Sequence, residues 1–199
     1  MFGGSPNPGE IDAADRRPAM GQFIVDQEAR RDRRGRIQVY RLPSGDGGGS
    51  FEVAGINDRY HPVTARHLRR LIEAGMYELA ERSAVEAILA YTDVVTHWTE
   101  VPAIEAYLRD TAFNRGPTGA LRTLQMALGV ANDGRWGPVT QAALRRAERD
   151  PAALLAALRG AREWRERIIA PPVGARAKFW VGLCNRWDAA QRFAEGLLA

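Results

Sequence analysis

The sequence predicts a mainly α-helical fold with one small β-hairpin, and three observations carry that prediction. Apolar residues recur at helical spacing through nearly all of the chain after His61. Proline and glycine punctuate those stretches where helices begin and end, as at Pro102, Pro138 and Gly75. Only the segment from Arg36 to Ile56 changes period: Ile37-Gln38-Val39-Tyr40 alternates as a short strand does, and Phe51-Glu52-Val53 reads as the returning strand.

Taken in order, residues Met1 to Arg17 are rich in Gly, Pro and Asp and read as a loose tail. Pro18 suits the first turn of a helix through Met20, Phe23 and Ile24 toward Arg31, with Gly35 as its stop. Pro43 to Ser50 must be a loop. Helices are then expected over 63–74, 77–98 and from Pro102 to a break near Asn114-Arg115-Gly116-Pro117. Two short helices, 119–128 and 138–147, flank a turn at Asn132 to Gly137, and longer ones follow over 152–169 and 175–198. Aromatic residues gather in the last third, where Trp164 is the expected partner of an apolar side formed by Phe179, Trp180 and Trp187. Asn185 and Arg186 fall on other faces of that last helix, within expected reach of the turn at Asp133. The expected organisation is a tail over 1–17, a first helical region over 18–111 and a second over 112–199, packed without an open linker.

Composition narrows the function classes. With 199 residues the chain is long enough for a sizeable core, and 45% hydrophobic with 26% charged residues is ordinary for a globular protein. One cysteine, Cys184, rules out an internal disulfide and leaves no zinc-type spacing. His61, His67 and His97 make no metal pattern, because six positions apart on one helix puts the first two on opposite sides. No metal and no cofactor are therefore expected. The net charge of +4 suits an anionic polymer, yet no basic recognition helix or stacking motif points to nucleic acid. No apolar run approaches the ~20 residues that span a bilayer, so membrane insertion is not expected. The amino-terminal residues carry no charged segment followed by an apolar one, the pattern of an export signal.

Three stretches can carry chemistry. Glu28 stands at the end of the first helix, and Asp46 lies eighteen positions on in the loop Gly45-Asp46-Gly47-Gly48-Gly49-Ser50. A carboxyl at a helix end facing a hairpin-borne carboxylate is the arrangement that glycoside hydrolysis uses, one group protonating the leaving oxygen and the other stabilising the oxocarbenium-like centre. Glu52, on the returning strand, is the rival second carboxylate. The glycines, Gly48 among them, permit close backbone approach to a ligand, and equally suit a plain hairpin tip. The third stretch is Leu124-Gln125-Met126-Ala127-Leu128-Gly129 followed by Asp133-Gly134-Arg135-Trp136-Gly137-Pro138-Val139-Thr140, a helix-turn-helix in which Trp136 can stack on a sugar or pack the core.

These residues resemble a known family. The third stretch, with Phe113-Asn114-Arg115-Gly116-Pro117 before it and Phe179-Trp180-x-Gly182-Leu183-x-Asn185-Arg186-Trp187 after it, is similar to the carboxy-terminal peptidoglycan-binding region of glycoside hydrolase family 108, the N-acetylmuramidase-like proteins. That family carries Glu-Gly-Gly near the end of helix one and a loop of the type Asp-x-Gly-Gly-x-Thr-x-x-Gly-Ile. Here Glu28-Ala29-Arg30 stands in the first position, and Asp46-Gly47-Gly48-Gly49-Ser50 with Gly55-Ile56-Asn57 in the second. The resemblance implies a lysozyme-like helical domain plus a helical peptidoglycan-binding module. It implies Glu28 as general acid, with Asp46 as base or electrostatic partner and Glu52 in reserve. Gly48, Ser50, Asn57, Arg115 and Trp136 would then contact the substrate. The implied partner is the peptidoglycan glycan strand, met by a monomer that is made in the cytoplasm and reaches the cell wall through a holin, a secretion system or a phage particle. Where the family has glycine, this chain has Ala29 and Arg30; a non-catalytic wall-binding or phage structural protein is the alternative.

Overall fold

The computed structural model describes residues 11–43, 49–174 and 177–198. Among them the chain is mainly helical, with seven α-helices and a three-stranded antiparallel sheet. It divides into two compact units: one from Arg17 to Tyr91, the other from Thr92 onward together with the described residues up to Arg16. The division falls between Tyr91 and Thr92, and a single helical segment runs straight across residue 111, where a boundary was expected.

The first unit holds α1 (Arg16–Glu28), β1 (Tyr40–Arg41), β2 (Phe51–Val53), β3 (Ile56–Asn57), α2 (Pro62–Glu73) and α3 (Tyr77–Tyr91). Helix α1 begins inside the expected tail, whose described residues just before it form a turn closed by Asp15 N–H donating to the Asp12 carbonyl at 2.9 Å. It also stops earlier than expected. Residues 29–37 leave the helix and fold into a tight turn, in which Gly35 adopts φ +79 and Arg31 bridges Ile37. The polar run Arg30 to Arg34 offers no apolar stripe to hold a further helical turn against a core, so the chain turns away. Gly21 lets α1 lie against α3, because a Cβ there would come within 2.8 Å of Val85 and 2.9 Å of Leu89.

The sheet has the order β1-β2-β3, with Tyr40 opposite Glu52, Arg41 opposite Phe51, and Val53 opposite Ile56. The expected hairpin is therefore present, and β3 is an addition to it. A two-residue turn joins β2 to β3 with Ala54 at φ +48 and Gly55 at φ +74, the primed geometry that matches strand twist. Buried Phe51, Val53 and Ile56 pack toward α2, whose Ala65, Leu68 and Leu71 complete the layer. Since side chains alternate across a strand, Glu52 and its cross-strand partners Tyr40 and Asn57 point to the other face.

The second unit opens with a short 3-10 helix, Asp93–His97, in place of the continuous helix expected to run to Trp98. Helix α4 (Pro102–Ala127) turns sharply at Gly116, with φ 70 and ψ 163, next to Pro117, which has no N–H to offer. The break expected at 114–117 is thus a kink, and the expected helix 119–128 is its second arm. Helices α5 (Pro138–Ala147), α6 (Pro151–Ile169) and α7 (Ala177–Glu195) follow, with α6 and α7 packed on α4. Leu108, Leu124, Leu155, Leu158 and Trp187 are buried between them. Trp187 is covered by Trp180, edge to face at 5.6 Å, and by the Arg159 guanidinium 5.2 Å from its centroid. Trp164 and Phe179, expected in that layer, are exposed.

Candidate functional site

In the first unit, the segment that follows Glu28 is tied down from two sides. Arg31 lies 2.5 Å from the Asp26 carboxylate and 2.6 Å from Glu81 on α3, and donates to the Gly35 carbonyl at 2.8 Å. Gln22 donates to Glu81 as well, at 2.8 Å. Burial raises the Glu81 carboxyl, but the bonds from Arg31 and Gln22 outweigh it and hold the group below its ordinary range. On the other side, Gln38 N–H donates to the Arg30 carbonyl at 2.8 Å, and the Arg30 guanidinium sits 5.0 Å over the Tyr40 ring.

These contacts join the carboxyl-bearing end of α1 to the sheet. Arg30, two residues beyond Glu28, covers Tyr40, and Tyr40 is the direct cross-strand partner of Glu52. Glu28 and Glu52 are both half-buried. Asp46 and Gly48 lie outside the described residues.

Asp58 organises the described end of the loop, and nothing in the sequence singled it out. Its Oδ1 accepts from Ser50 N–H at 2.7 Å and from Phe51 N–H at 3.3 Å. Those backbone donors, Ser50 first, hold its carboxyl below the ordinary range. Gly49 has φ +102, and a Cβ there would run into the Asp58 carboxylate and the Arg59 backbone.

The other expected contact residues separate. Asn57 shares the Glu52 face, but its Oδ1 already accepts from Tyr60 N–H at 2.9 Å. Ser50 lines a cavity of about 370 Å³ with Val39, Arg41, Phe51, Arg69 and Glu73, and Arg41 and Phe51 belong to the α2 side of the sheet.

Arg115 and Trp136 belong to the second unit. The Arg115 guanidinium grips the nearly buried Glu166 through two bonds, at 2.8 and 2.5 Å, which braces the α4 kink against α6. Arg186, expected to reach the turn at Asp133, instead meets Asp110 at 2.7 Å. The turn itself is held by buried Gln125. It donates to Asp133 Oδ1 at 2.8 Å and to the Arg135 carbonyl at 3.0 Å, and accepts from Gly134 N–H at 2.8 Å. Trp136 is half-buried and stacks on Trp98 with centroids 6.0 Å apart. Trp98 also forms one wall of a polar recess of about 470 Å³, with His97, Glu100, Gln141, Arg145 and Glu148 around it. Among the described residues no group of three or more His, Cys, Asp or Glu side chains is placed to hold a metal ion.

The fold is similar to that of SagA from Brucella abortus, with a TM-score of 0.63 over 94% of this chain and 97% of that one, at 21% identity. At that identity the likeness speaks for the fold alone. No family model matches the chain, and no curated protein does.

Proposed function

We propose that the chain is a lysozyme-like glycosidase that cuts the β-1,4 links of peptidoglycan glycan strands. The observation that carries this reading is the tie between the end of α1 and the sheet, made by Gln38 N–H on the Arg30 carbonyl and by Arg30 over Tyr40. It links the chain two residues beyond Glu28 to Tyr40, the cross-strand partner of Glu52. Glu28 is the general acid: its proton goes to the glycosidic oxygen as the C1–O bond breaks. A hairpin carboxylate, Asp46 or Glu52, stabilises the positive charge at C1 or activates the water that ends the reaction. The Trp98–Trp136 stack and the recess beside it are the candidate wall contact of the second unit, and Arg115 is a brace there.

Glu28→Gln keeps the size and removes the titrating proton. Turbidity clearing of stripped cell walls should fall by at least a hundredfold, in the range expected for loss of a general acid, with the melting temperature unchanged. Undiminished clearing removes Glu28 from the role. Running Asp46→Asn and Glu52→Gln beside it identifies the second carboxylate as the one whose loss matters most.

One observation favours the alternative, a wall-binding protein without hydrolysis. Arg30 replaces a family glycine, and its side chain lies on the sheet face where a sugar would have to pass. Pull-down on insoluble peptidoglycan in parallel with the clearing assay separates the readings. Binding without clearing from acid to neutral pH supports the alternative.

A further inference from the structure

The α6–α7 hairpin ends in a tip whose apolar side chains face water. Trp164, Ile168 and Ile169 near the end of α6, Val173 in the connection, and Phe179 and Val181 at the start of α7 are each 49–68% exposed. The other exposed large apolar side chains are scattered from Tyr40 to Leu198. Residues 167–169 are exposed in succession, as are 177–179. Three consecutive helical positions sweep more than half the circumference, so both helix ends stand clear of the rest of their unit. An apolar cluster of this density on a projecting element marks an interaction site.

Charge narrows the partner. Between Glu163 and Val181 the described side chains include Arg165, Arg167 and Lys178 against Glu163 and Glu166. Both carboxylates are already paired, Glu163 with Arg159 and Arg167, Glu166 with Arg115. Two cations lie over the tip's own rings, Arg167 4.6 Å from the Trp180 centroid and Lys178 4.9 Å from that of Phe179. In each pair the charged head itself lies over the ring face, so cation and apolar surface share one site.

We propose that this tip seats in the surface of an anionic lipid bilayer. Its apolar side chains enter the boundary between headgroups and acyl chains, and Lys178 stays level with the lipid phosphates. Spanning a bilayer takes ~20 apolar residues; surface seating takes only an apolar wedge with a cationic rim, so the lack of a spanning run does not bear on it. Each cation near an anionic surface strengthens binding about fivefold. The proposal is independent of any glycosidase activity.

The test uses the full chain with vesicles of phosphatidylcholine alone or mixed with phosphatidylglycerol, at low salt. The protein should sediment with the mixed vesicles and not with the neutral ones, and lipids brominated high on the acyl chain should quench its tryptophan fluorescence. A triple variant, Ile168→Ser with Phe179→Ser and Val181→Ser, should lower partitioning at least tenfold with its circular dichroism unchanged. Lys178→Glu alone should lower it at least fivefold. The proposal is overturned if the wild-type chain binds neither vesicle, binds both equally, or partitions as well after the triple substitution. It is equally overturned if the triple substitution abolishes self-association in a chain that never bound lipid.

Discussion

With φ at +102 and the Asp58 carboxylate against the place where a side chain would begin, Gly49 joins the glycine-rich loop to β2 in a way only glycine tolerates. Forcing an L side chain into a left-handed conformation costs roughly 1–2 kcal/mol, and the Cβ would also displace Asp58 from Ser50 N–H. Gly49→Ala should therefore lower the melting temperature by roughly 2–8 °C, taking about 2–4 °C per kcal/mol for a chain of this size. It should also reduce wall clearing by more than that loss explains, which a melt and a clearing assay on one preparation will show. Single residues were unevenly legible in the sequence. Glu28 was expected at the end of the first helix, and it is the last residue of α1, although the helix had been expected to run on toward Arg31. Asp58 could not be placed, since its partners are two backbone N–H groups across a hairpin, and backbone donors have no sequence signature. The bond from Arg115 to Glu166 was not legible either, because the two lie 51 positions apart.

At the scale of elements, the packing of α4, α6 and α7 turns on one buried carboxylate. Asp110 is fully buried and meets Arg162 and Arg186, each at 2.7 Å. Two guanidinium groups, one from α6 and one from α7, converge on that one carboxylate. Asp110→Asn keeps the volume but removes the charge that pairs with Arg162 and Arg186, and breaking a buried pair costs about 3–5 kcal/mol. A fall of on the order of 10 °C in melting temperature is expected. Acid should act through the same group. Burial raises the Asp110 carboxyl, yet Arg162 and Arg186 lower it further, so its folded-state value is depressed. A depressed carboxylate contributes stability that is present above its unfolded pKa, near 4. That contribution is lost as the pH falls through the lower folded value. Melts between pH 7 and pH 2 should show this loss in the wild-type chain and a shallower decline in Asp110→Asn; parallel curves would exclude Asp110 as the source. Helix boundaries written in proline and glycine were legible here, including the kink at Gly116. The pairing of α7 was not: the seven- and eight-residue aromatic spacing pointed to a covered stripe, whereas of those three rings only Trp187 is buried, and arginine guanidinium groups do part of the covering.

Over the whole chain, the mainly helical plan with a small hairpin followed from hydrophobic period alone. The division into units did not. The cut between Tyr91 and Thr92 lies inside what periodicity reads as one helix, because a 3-10 segment keeps nearly the same apolar spacing as the α-helix it follows. The proposed glycosidase activity rests on the carboxylate at the end of α1 and its partner, Asp46 or Glu52. The most direct test is product analysis of purified peptidoglycan after incubation with the wild-type chain and with Glu28→Gln, by liquid chromatography and mass spectrometry. Muramidase chemistry predicts soluble muropeptides ending in reducing N-acetylmuramic acid from the wild-type digest and none above background from the variant. A wild-type digest that releases no such fragments at any pH from 4 to 8 would contradict it.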